Sequence, residues 1–124
     1  MFARFYPTRV KPPCWTVIKE ENVIKHLLEH KLVYYVTKHR KKGFARIKSS
    51  RDGATIAIGY FTLVGFIQRK NGEILVKRNT TVESLQKYVE NSGFPDYESW
   101  KKFLHKKSYS SLCLYKIELV QDSR

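Results

Sequence analysis

Hydrophobic positions along the chain change their period several times, and each change marks an element. In KEENVIKHLLEHK, Val23, Ile24, Leu27 and Leu28 recur on one helical stripe. Acidic residues open this segment and Lys31 closes it, as the helix dipole favours. The pattern predicts a helix of about three turns. LVYYVT, β-branched and aromatic, predicts a strand. TIAIGYFTLVGFIQRKNGEILVKRN continues as β structure, with Lys70-Asn71-Gly72-Glu73 as a hairpin turn between strands at about 61–69 and 73–78. Gly59 and Gly65 inside the apolar run predict bends or bulges.

The pattern then turns helical. TTVESLQKYVENSG offers a capping box, with Thr80 as N-cap and Glu83 three residues on. Val82, Leu85 and Val89 would be its buried stripe, and Gly93 its stop. Phe94-Pro95-Asp96 opens a second helix, YESWKKFLHKK, with Tyr97, Trp100 and Leu104 on one side. The last run, LCLYKIELV, alternates. Cys113, Tyr115, Ile117 and Leu119 face one way and Leu112, Leu114, Lys116 and Glu118 the other, which predicts a half-buried strand. The order is strand, helix, four strands, two helices, strand. It predicts an α+β fold, a small curved β-barrel with helices packed at its ends. Residues 1–17, with three prolines, read as a short edge strand and an extended arm. Residues 18–120 form the domain and 121–124 a tail.

The 124 residues suit one domain with a real core. The two cysteines are too few for a disulfide scaffold or a CxxC-type zinc site. They read as free thiols in a reducing compartment, Cys113 in the core. No apolar run approaches the roughly 20 residues of a membrane span, and MFARFYPTR has no signal-peptide core. The expectation is a soluble cytoplasmic protein with no membrane partner.

Charge changes the picture most. The net charge is +13, and residues 1–78 carry 17 of the 24 Lys and Arg but only 5 of the 11 Asp and Glu. A charge confined to one part of the chain can become a face that attracts a polyanion. Its densest stretch is KHRKKGFARIKSSR, residues 38–51, with Lys38, Arg40, Lys41, Lys42, Arg46, Lys48 and Arg51 around Phe44. If ARIK is a strand, Phe44, Arg46 and Lys48 share one face and Ala45 and Ile47 the other. Cations for phosphate and a ring for base stacking suit nucleic acid. Arg69, Lys70, Lys77 and Arg78 would add to the same face. The competing readings are a solvated loop for the basic run and a core position for Phe44.

The stretch VGFIQRKNGEILVKRNTTVESLQKYVENSGFPDYESWKKFL, followed by LCLYKIELV, resembles the ASCH domain, a small barrel of the PUA-like superfamily. In that family a Gly-containing barrel strand precedes a short helix. A GF-x-(S/D)-x-E-x-(W/L/F) segment then opens the next helix, and the closing strand ends in I-x-F/L. GFPDYESW at 93–100 and YKIELV at 115–120 fill those roles. The resemblance spans residues 18–120. It implies a PUA-like barrel and nucleic-acid binding, RNA in preference to DNA. It also implies a cleft between the first helix and the barrel, with Lys31 matching the family lysine and Tyr34 standing where the family has Thr. Some members hydrolyse acylated nucleosides with that Lys, the Thr and a downstream Glu; here only the Lys is kept, and Glu90 is an unaligned carboxylate. The alternative function is therefore a small amidohydrolase or nuclease acting on modified nucleosides or RNA, with Lys31 in the cleft. A third is a protein-interaction module. His26 and His30 are one helical turn apart, but no third ligand accompanies them or His39 and His105, so neither metal nor cofactor is expected.

Overall fold

The computed structural model describes residues 12–38, 43–107 and 111–123. The edge strand expected before Pro12, and Arg40, Lys41 and Lys42, lie outside these. The elements are β1 (Trp15–Val17), α1 (Glu21–His30), β2 (Leu32–Thr37), β3 (Gly43–Lys48), β4 (Thr55–Lys70), β5 (Glu73–Arg78), β6 (Thr81–Ser84), a 3-10 helix (Leu85–Asn91), α2 (Tyr97–His105) and β7 (Cys113–Asp122). The fold is α+β and strand-rich, a single curled sheet forming a half-barrel with a few helices against it.

The long β4 organises the sheet. β3 and β5 pair antiparallel with it, as does β7, which in turn pairs with β2. β1 adds to β3 in parallel and β6 adds to β5. The sheet takes in residues expected in the arm and the tail, since β1 pairs with β3 and β7 runs to Asp122. Between Leu63 and Gly65 the pairing with β7 skips Val64, and a second skip lies opposite Gly59. These bulges bend the strand at the two glycines, as the sequence predicts. A Cβ on Gly65 would lie 2.8 Å from the Lys77 carbonyl oxygen, so the backbones of β4 and β5 approach closely there. The Asn71-Gly72 turn has both residues at positive φ, 52° and 79°, as a two-residue hairpin of twist-compatible hand demands.

Two apolar cores lie on the two faces of the sheet. One joins α1, through Val23, Leu27 and Leu28, to Ile47, Phe61, Tyr115 and Ile117. The other joins α2, through Tyr97, Trp100 and Leu104, to Ile74, Val76, Leu85 and Leu114. β7 departs from the half-buried pattern. Leu112 and Leu114 are as buried as Cys113 and Tyr115, because the second core covers the face opposite α1.

The capping box also gives way. Thr81–Ser84 is a strand paired with β5, and Ser84, not Thr80, caps the 3-10 helix by accepting from the Gln86 N–H at 3.1 Å. Val82, expected in the buried stripe, is 49% exposed. The capping of α2 agrees with the sequence, Asp96 Oδ1 accepting from the Ser99 N–H at 2.7 Å.

Candidate functional site

Phe66 pairs with Cys113 of β7 and with Lys77 of β5, so β5 lies on the edge of β4 away from β7. β3 occupies the first part of that same edge, ending at the pair Gly43–Phe61. Between them, Thr62 to Gly65 have no partner strand on this edge among the described residues. The sheet splits here, and a cleft of about 480 Å³ fills the gap. Gly43 and Tyr60 line one side, Phe66, Arg78 and Asn79 the other. Phe66 is 45% exposed, unusual for so large an apolar side chain. Phe44 sits beside this cleft, its ring edge-on to Tyr60 at 5.0 Å.

Cations flank the gap on the β5 side. Lys77 and Arg78 are exposed at the end of β5. Lys38, exposed, follows β2, which pairs with β7 on the other edge of β4 from the gap.

A second cleft, about 290 Å³, adjoins the first and shares Val64 and Arg78 with it. Glu83, Lys87 and Tyr88 complete its polar wall. The Tyr88 hydroxyl donates to Glu83 Oε2 at 2.8 Å, and the Lys87 ammonium meets Oε1 at 2.8 Å. Burial and the bond to Glu83 push the Tyr88 phenol up to about 12. The bonds from Lys87 and Tyr88 hold the Glu83 carboxyl below its ordinary value. The Tyr34 ring, half-buried, packs 4.9 Å from that of Tyr88. Sequence reasoning spends Glu83 on a cap and passes over Tyr88. Only the Glu83–Lys87 spacing of four hints at a pair, and that spacing is ordinary.

The remaining predicted residues are placed elsewhere. Alternation in β3 is as expected, with Ala45 and Ile47 buried and Phe44, Arg46 and Lys48 half-exposed. Their charged heads are engaged by the protein. Arg46 Nε donates to the Pro12 carbonyl at 3.1 Å, and the Lys48 ammonium lies 4.7 Å over the Trp15 ring. Arg51 lines a separate cleft with Trp15, Cys14 and Lys19. Arg69 donates to the Leu104 and Lys107 carbonyls, both at 3.1 Å, at the end of α2. Lys70 is exposed at the β4–β5 turn.

Thr55, which pairs with Lys48, and Lys70 are the two ends of β4. An extended strand rises ~3.3 Å per residue, so those ends are some tens of ångströms apart. Lys48 and Lys70 therefore lie toward opposite ends of that strand. Lys31 is exposed and left-handed (φ 68°), and its N–H caps α1 by bonding the Leu27 carbonyl. It does not line either of the adjoining clefts.

The rings of His26 and His30 lie 4.3 Å apart, tilted by 31°, and His26 Nε2 contacts Asn91 Oδ1 at 3.0 Å. Cys14 is exposed and Cys113 buried, and neither is in a disulfide. Among the described residues no three His, Cys, Asp or Glu side chains converge as metal ligands, and no helix is long and apolar enough to cross a membrane. No family model matches the chain, and no curated protein or solved structure matches it.

Proposed function

We propose that the chain binds single-stranded nucleic acid, RNA in preference to DNA, across the gap in the sheet between β3 and β5. The observation that carries this reading is the cleft itself, where the exposed Phe66 and the half-buried Tyr60 lie beside Arg78. Single-strand binders combine cations that track phosphates with rings on which bases stack. A duplex would need a broader surface than a gap four residues long. The edge of Thr62–Gly65, which no described strand pairs, offers backbone donors and acceptors to a ribose 2′-hydroxyl, the group by which RNA differs from DNA. The ASCH-like order of motifs supports the same preference.

The test is fluorescence anisotropy with labelled single-stranded RNA and DNA of equal sequence. RNA should bind more tightly, and Phe66→Ala should weaken binding by ~1–3 kcal/mol, the contribution of one stacked base. Absence of binding to either strand at low salt, or equal binding to heparin, would refute the reading.

A further inference from the structure

We propose that the smaller cleft, between β4, β5, β6 and the 3-10 helix, takes one base of the bound strand and selects guanine through the Glu83 carboxylate. This rests on the nucleic-acid reading above and adds the identity of the base. The Glu83 carboxylate is paired with Lys87 and Tyr88. It would repel a phosphate, so its remaining lone pairs suit a neutral donor.

The geometry suits that use. Lys87 occupies one lone pair of Oε1 and Tyr88 one lone pair of Oε2. An ionised carboxylate accepts at about four positions, so each oxygen keeps a second lone pair. The two bonds also fix the carboxylate plane. Guanine alone among the common bases presents two adjacent donors, N1–H and the 2-amino group, matching two oxygens side by side. Adenine presents an acceptor, N1, beside a single amino group, and uracil flanks its one N–H with carbonyls. Both would turn an acceptor toward the carboxylate, which discriminates by repulsion as well as by the missing bond. At neutral pH Glu83 is held ionised by its two partners.

The cleft volume of about 290 Å³ suits one planar base, being at the low end of small-ligand sites, ~300–1,000 Å³. Tyr88, backed by Tyr34, provides a ring in its wall. Arg78, shared with the larger cleft, is placed for the phosphate beside that base. A cationic ligand such as an arginine side chain would meet Arg78 and Lys87 at the rim, which favours a neutral donor instead.

Anisotropy on oligouridine strands carrying one central guanosine, inosine, adenosine or uridine tests the assignment. Guanosine should exceed adenosine by about 10- to 100-fold, the discrimination expected of a bidentate pair. Inosine, which keeps N1–H and lacks the 2-amino group, should fall between. In Glu83→Gln, with melting checked alongside, the guanosine-to-adenosine ratio should drop to within about twofold. Tyr88→Phe, which frees the carboxylate to rotate, should reduce the ratio without abolishing it. Binding of all four strands with equal affinity overturns the guanine assignment and leaves the nucleic-acid reading standing, as does a guanosine preference that survives Glu83→Gln. Failure of every strand to bind overturns both.

Discussion

Arg69 shows how a cation that looks like a phosphate contact can belong to the fold. Its guanidinium reaches two carbonyls, of Leu104 and Lys107, where α2 ends. The Leu104 carbonyl also accepts from the Lys107 N–H at 3.1 Å, so the guanidinium adds a second donor where the helix dipole favours a cation. Arg69→Ala should destabilise the protein by about 1–2 kcal/mol in urea unfolding, since bonds to a charged donor exceed neutral ones. It should leave the salt dependence of nucleic-acid binding unchanged. A variant of wild-type stability whose salt slope falls would return Arg69 to the binding surface. Alternation makes the side of the sheet legible for Phe44, Arg46 and Lys48, because the period of a strand is fixed by its backbone. The engagement of the charged heads is not legible. Arg46 finds its acceptor on Pro12, 34 residues away, and local pattern carries no information about such a partner.

At the scale of elements, α1, α2, the β4–β5 hairpin and the bulges at Gly59 and Gly65 can be read from the chain, since each is written in residues a few positions apart. The segment TTVESLQ cannot, because it carries two compatible signals. A strand from Thr81 satisfies backbone groups on β5, from Arg78–Thr81 to Leu75–Ser84. Ser84 then caps the 3-10 helix with the same chemistry that Thr80 would bring to a longer one. The long-range pairing decides between them, and it buries Leu85 while leaving Val82 in solvent. The consequence is measurable. Ser84→Ala should lower stability by ~0.5–1 kcal/mol in urea titration, the lower part of the N-cap range for an exposed cap. Thr80→Ala, at an exposed turn position, should stay within about 0.5 kcal/mol of wild type. The reverse ranking would restore the helix from Thr80. β7 fails the half-buried pattern for a related reason. Lys116 and Glu118 mark a wet face only along its second half, and the first half is covered by α2, which arrives from a different part of the sequence.

For the whole molecule, the described cations on and beside β4 are spread along that strand. Lys48 and Arg51 lie toward one end of that strand, Arg69 and Lys70 at the other, and Lys77 and Arg78 at the gap between β3 and β5. Composition can announce a polyanion partner, but only the folded sheet decides which cations act together. If the gap is the site, about four to six cations reach phosphate, Lys77 and Arg78 among them. Each contact to a single strand contributes a slope of ~−0.7 in log K against log salt, so the wild type should show roughly −3 to −4. Lys77→Ala with Arg78→Ala should reduce the magnitude of that slope by about 1.4. Lys48→Ala with Arg51→Ala should leave it unaltered, although both pairs remove the same net charge. The comparison separates local contact from the general field of a basic protein, which would respond equally to either pair. An equal fall in slope for both double variants would mean that the general field holds the strand, and a fall confined to Lys48→Ala with Arg51→Ala would move it to the outer face of β3; in either case the gap would no longer be the place where it is held.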